Sequence, residues 1–263
     1  MIGLHKQGDE CFILIKAQPH RSSKYFETVC CAGVGRDGKW RRQYPVPYRI
    51  LDGAQKFRRW DWIKYEYTKS DSDRRLESQK VIPESLEVIG RIRKAERAKF
   101  LNPLVRASFA EADSRNESLV LLRPKQITIS CHKKTEKELQ DETRKHRELA
   151  NQLSFFDKTA KPLKPCPVSF SLHWTDQDGK EHRHENDDWE TSAAYNRFHH
   201  EYGHEKAIEI LKEKYEETYF RAGLVLGFST HSRRNVTHGI KNQWLLVGLI
   251  RLDEERQDDL FIG

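Results

Sequence analysis

Between residues 9 and 70 the chain is cut into apolar runs of strand length by residues that turn a backbone tightly, and this spacing constrains the fold most. ECFILIKAQ and FETVCCAGV have strand length, GRDGK supplies a hairpin turn, and KWRRQYPV continues until Pro45 and Pro47 interrupt it. FRRWDWIKYEY alternates, with Ile63, Tyr65 and Tyr67 on one face and Trp62, Lys64 and Glu66 on the other. Four or so short strands joined by tight turns predict a small barrel. A likeness to PUA-like barrels, which read RNA and modified bases, is a further expectation.

Beyond the barrel the pattern changes. SDSDRRLES reads as a polar break, SLEVIGRI as a further strand, and Arg93 to Ala112 as helix split by Asn102 and Pro103. SLVLLRPKQITIS is one bent strand or two, with Pro124 between them. From Thr135 to about Leu153 runs a charged helix with a narrow apolar stripe. DKTAKPLKP is the best linker candidate. PVSFSLHW and KEHRHE flank the turn DQDG as a hairpin. Two helices follow, Asp188 to His200 and His204 to Phe220, with a break at Gly203. GLVLGFST and QWLLVGLIRL, the most apolar strands, belong at the centre. The expectation is an α+β protein: an N-terminal β barrel over 1–90, a connector with an exposed charged helix over 91–160, and a C-terminal α+β part over 161–263 with a hairpin, two helices and a central strand pair. These parts are also compatible with one composite domain.

Composition bounds the function classes. The 27 Trp, Tyr and Phe residues rule out wholesale disorder despite 33% charged residues. No stretch reaches the ~18–20 uninterrupted apolar residues of a membrane span, and MIGLHKQGDE lacks the layout of a signal peptide. A soluble, cytoplasmic protein with no membrane partner is expected. The five cysteines show no C-x-x-C spacing, which argues against a zinc ribbon or a secreted disulfide framework; Cys30 and Cys31 sit in an apolar run as core fillers. A net charge of +7 admits a polyanionic partner.

Three clusters carry candidate chemistry. Between Arg36 and Arg59, eight basic residues face two acids, with Trp40, Tyr44, Tyr48 and Phe57 interleaved. Cations neutralise phosphates while flat rings accept unstacked bases, so Trp40, Arg41, Arg42, Tyr48, Arg58 and Arg59 are the candidate nucleic-acid contacts. The plainer alternative makes the aromatics the barrel core and the cations its solvated exterior. Second, eight of the twelve histidines fall between His173 and His238. On a strand His182 and His184 share a face, and with Asp188 they are the candidate metal ligands; Asp188 and Glu190 are also catalytic candidates. The alternative is a hairpin exterior followed by a helix start, with Asp187 or Asp188 as N-cap. Third, STHSRRN after the strand GLVLGF puts His231, Arg233 and Arg234 in a loop. A Ser–His nucleophile there lacks a G-x-S-x-G elbow and an acid partner, so the arginines as phosphate contacts are the more economical reading, with His231 a catalytic candidate. His231 and Arg233 are expected to face a cleft containing Trp189 or Glu190.

The ordered set FETVCCAGV, KWRRQYPVPYRIL, FRRWDWIKYEY, LVLLRPK, DDWE, GFSTHSRRN and QWLLVGLIRL resembles a family of uncharacterised bacterial proteins of mobile and defence-type gene neighbourhoods. That family carries no assigned activity, so the resemblance implies a context and not a mechanism. Some relatives carry cysteines just ahead of the DWE segment, which implies a bound metal. Here HWTDQDGKEHRHENDDWE stands instead, with no cysteine nearer than Cys166; either histidines replace those ligands or the site is lost. The expected function is a nucleic-acid-binding component of a bacterial antiviral defence system, partnered by nucleic acid and by other subunits, with no cofactor. The alternatives are a nuclease or hydrolase using a divalent metal at the His/Asp/Glu cluster, and a non-catalytic interaction subunit.

Overall fold

The computed structural model describes residues 5–22, 26–70, 73, 75–154, 163–230 and 244–253. The chain divides into two compact units, Met1–Arg91 with His132–Ser169, and Ile92–Cys131 with Phe170–Gly263. The architecture is α+β with an N-terminal barrel, as the turn spacing predicts.

Seven strands open the chain: β1 (Gln7–Lys16), β2 (His20–Ser22), β3 (Phe26–Gly35), β4 (Trp40–Val46), β5 (Asp61–Lys69), β6 (Ser78–Val81) and β7 (Glu87–Arg91). The order β1-β3-β4-β6-β5 closes because β5 also pairs with β1, so five strands form a barrel while β2 and β7 extend it along β3 and β5. β4 and β6 run parallel, with Arg42 opposite Ser78; the other barrel neighbours are antiparallel. β3 approaches β1 so closely that a Cβ on Gly33 would stand 2.3 Å from the Phe12 carbonyl oxygen, so only glycine fits there.

The barrel interior is polar at its centre. Gln43, which is fully buried, donates from Nε2 to Cys11 Sγ (3.0 Å) and Tyr65 Oη (3.1 Å). Tyr65 donates to Gln79 Oε1 (2.5 Å), and Gln79 donates to Asp9 Oδ2 (2.7 Å), which also accepts from Arg41 Nε (2.6 Å). The ionised carboxylate of Asp9 can only accept, so it fixes the direction of every bond in this row. Burial pushes the Cys11 thiol up to about 12, keeping it a neutral filler.

Along the rest of the chain lie α1 (Lys94–Leu101), β8 (Val105–Arg106), α2 (Phe109–Ser114), β9 (Leu119–Leu122), β10 (Gln126–Lys133), α3 (Glu136–Ser154), β11 (Val168–Thr175), β12 (Glu181–Glu185), α4 (Trp189–Tyr202), α5 (His204–Lys212), β13 (Leu224–Thr230) and β14 (Trp244–Arg251). The charged helix α3 packs on β3 in the first unit. In the second unit a four-stranded sheet runs β14-β13-β9-β8, and all seven residues of β13 are buried, the central strand pair that the apolar runs predict. Pro124 separates β9 and β10 into different sheets, and β10, β11 and β12 form the second sheet. Gly203, at φ 83°, breaks α4 from α5, and a π-helical turn over Glu213–Tyr219 continues α5. Among the described residues no helix is long and apolar enough to cross a membrane.

Candidate functional site

The basic and aromatic residues of the first unit are sorted by strand alternation. Arg41 turns inward, its guanidinium held by Asp9 (2.6 Å) and by the exposed Asp37 of the β3–β4 turn (3.2 Å). Arg42 points outward but is 3% exposed, with Nη2 on Glu77 Oε1 at 3.2 Å. Both charges are matched within the fold. Trp40 lies half-buried at the start of β4, and Tyr44 is exposed on the same outer face.

The connection from β4 to β5 keeps its cations differently. Tyr48 donates to the Phe57 carbonyl, its ring meets the buried Phe57 edge-on at 5.1 Å, and the Lys16 ammonium lies 4.8 Å from the Tyr48 ring centroid. Leu51 and Trp60 are buried with Phe57, while Lys56 and Arg58 are exposed and Arg59 half-buried. Among the described residues the Lys56 and Arg58 side chains have no ion-pair partner. Trp40, Arg41 and Arg42 therefore do not join Tyr48, Arg58 and Arg59 in one face of free charge.

In the second unit the hairpin of β11 and β12 pairs Trp174 with His182 and Leu172 with His184, so both imidazoles do share a face. His182 stacks on Trp174 at 4.5 Å, and its Nε2 bonds Asp176 Oδ2 at 2.8 Å. Asp176 opens the DQDG turn and is itself buried; its other oxygen accepts the backbone N–H groups of Asp178 (3.0 Å) and Lys180 (2.9 Å). Burial opposes its charge, but the bonds from His182 and these amides outweigh it and hold the carboxyl below its ordinary range. His184 Nδ1 accepts from the Trp174 indole N–H at 3.1 Å. Burial first and His182 second bring the His184 pKa down to about 4, so it is neutral at pH 7. Phe109 closes the group, edge-on to His182 (5.3 Å) and Phe228 (4.9 Å) and stacked on Trp244 (5.4 Å).

Asp188 stands apart. It is fully buried as the N-cap of α4, accepting from Glu190 N–H (3.2 Å) and Leu249 N–H (3.1 Å). Its oxygens cap a helix and pin β14, the helix-start role weighed against metal ligation above. Glu190 is half-buried in the first turn of α4. Among the described residues no group of three or more His, Cys, Asp or Glu side chains gathers as a metal set. His231, Arg233 and Arg234 lie outside the described residues, and with them the cleft expected against Trp189 or Glu190. Sequence reasoning missed Asp176 and Trp174: counting strand pairs outward from DQDG sets Trp174 opposite Glu181, whereas Asp176 N–H bonds the Lys180 carbonyl around a three-residue loop and moves the pairing by one, to His182.

A model of a domain of unknown function, DUF8758, matches residues 7–106, and a second, DUF8757, matches residues 104–262. No curated protein and no solved structure matches the chain. Since the second match spans more than half of its residues, the chain belongs to the DUF8757 family, with a DUF8758 segment ahead of it.

Proposed function

We propose that this protein binds nucleic acid through its barrel unit, acting in the cytoplasm as one component of a bacterial antiviral defence system with other subunits. The observation that carries the reading is the anchored loop from Tyr48 to Arg59. It holds Arg49, Lys56, Arg58 and Arg59 against the single acid Asp52, and its Lys56 and Arg58 charges are unmatched among the described residues. Cations on a backbone fixed by the Tyr48–Phe57 bond meet phosphates at little ordering cost, and each phosphate neutralised releases counterions. The exposed Tyr44 and half-buried Trp40 offer ring faces for unstacked bases. The defence context rests on the resemblance of the motif order alone.

Electrophoretic retention of single- and double-stranded oligonucleotides over a range of salt tests this. The Lys56→Ala/Arg58→Ala variant is expected to bind all sequences more weakly and to lower the salt slope by about 2. Unchanged affinity and slope in a variant with intact circular dichroism would remove the loop as a binding face.

A further inference from the structure

The hairpin of the second unit presents two imidazoles whose hydrogen bonds leave one complementary atom each. His182 gives its Nε2–H to Asp176, whose other oxygen is fixed by two backbone amides, so the lone pair of Nδ1 remains. His184 spends its lone pair on the Trp174 indole through Nδ1, so its Nε2 carries the proton. Neither remaining nitrogen has a partner among the described residues. The ring centroids lie 6.1 Å apart, one phosphate group's reach, with the half-buried Phe109 beside both. The pair thus offers a base backed by a buried carboxylate and, next to it, a neutral donor that does not compete for the proton.

A base without a nucleophile of its own acts on a substrate that brings one. The aromatic rings against the pair, Phe109, Trp174 and Phe228, supply no hydroxyl or thiol. In a nucleic acid the hydroxyl that adjoins a phosphodiester is the ribose 2′-hydroxyl. Resting on the nucleic-acid reading above, we propose that His182 and His184 form a site that cleaves single-stranded RNA by transesterification. His182 Nδ1 takes the 2′-hydroxyl proton, and the 2′-oxygen forms a bond to the adjacent phosphorus. The P–O5′ bond breaks, its electron pair leaving on O5′, which receives the proton back from the His182 imidazolium. The products are a 2′,3′-cyclic phosphate and a 5′-hydroxyl. His184 Nε2–H donates to a non-bridging phosphoryl oxygen, where charge grows in the transition state.

The test incubates the full chain, in EDTA, with end-labelled single-stranded RNA, the same RNA carrying one 2′-deoxy residue, and matching DNA, while retention is measured on the same oligonucleotides. RNA is expected to be cut to cyclic-phosphate ends, the cut to vanish at the 2′-deoxy position, and DNA to be retained whole. His182→Ala should lower the rate about 100-fold or more with retention unchanged, and added imidazole should restore part of it. His182→Gln, which keeps a planar side chain on Trp174, should be as slow, so that a folding defect in the alanine variant does not decide the result. Asp176→Asn, a positioning change acting through His182, should lower kcat and leave KM unchanged; a lower Tm with kcat unchanged would take Asp176 out of the site. RNA that is retained but uncut, cut only when Mn²⁺ is added, or still cut by both His182 variants would overturn the proposal while leaving nucleic-acid binding intact. Loss of retention for every oligonucleotide would overturn both.

Discussion

One half-buried imidazole ties the hairpin to solution pH. An imidazole in an unfolded chain takes up its proton near 6.5, whereas His184 does so only near 4 in the fold, because burial and then His182 disfavour its charge. Between these values the unfolded state binds more protons, so stability falls as the pH falls. Asp176 works in the same direction at lower pH. Its carboxyl is held below the ordinary range, so its contribution is present above the unfolded pKa and lost as the pH drops through the folded one. Urea unfolding at pH 7 and pH 4.5 is expected to show a loss to which His184 contributes about 2 kcal/mol, and His184→Gln should remove that part. An equal loss in the variant would mean that His184 titrates normally. Such pairings were half legible in the sequence. The i, i+2 spacing put His182 and His184 on one face, but not that the Trp174 N–H would take the His184 lone pair, since the indole packs against Phe109 and Phe228 from distant parts of the chain.

At the scale of elements, the close approach of β1 and β3 decides which residues the barrel tolerates. A methyl on Gly33 meets the Phe12 carbonyl oxygen at 2.3 Å and Cys11 Sγ at 2.9 Å, one of them backbone, so the strands must part. Gly33→Ala is expected to cost about 1–3 kcal/mol, whereas Gly8→Ala, with nothing within 4 Å, should stay within about 0.5 kcal/mol; chemical denaturation of both variants compares them. Comparable costs would show that the strands yield. Strand existence was legible here. Ile63, Tyr65 and Tyr67 alternate with charged neighbours in FRRWDWIKYEY, and β5 is where that pattern places it. β6 was not, because it starts at the end of a polar stretch and its parallel pairing with β4 is non-local. The same blindness applies to Arg41: alternation says that it and Arg42 face opposite sides, but Asp9, more than thirty residues earlier, decides that one of them turns inward.

For the whole molecule, sequence segments and compact units differ. The two family models meet near residue 104, yet the first unit takes back His132–Ser169 after the second has begun. Composition and turn spacing show where strands and helices lie, but not this return, because α3 carries few apolar residues and packs on β3 across more than a hundred positions. A fragment of residues 1–106 keeps all five barrel strands and lacks α3. It is expected to fold, with faster amide exchange in β3 than in the full chain; equal exchange would show that α3 gives the barrel no protection. The returning segment also sets an order of assembly during synthesis. The ribosome releases every barrel strand by residue 91 and completes the first unit only at residue 169. Since α3 ends at Ser154, at about 5–20 residues per second the nascent barrel stands roughly 3–13 s without its helix, and for that interval the part of β3 that α3 covers is open to whatever chaperone or neighbouring chain reaches it first.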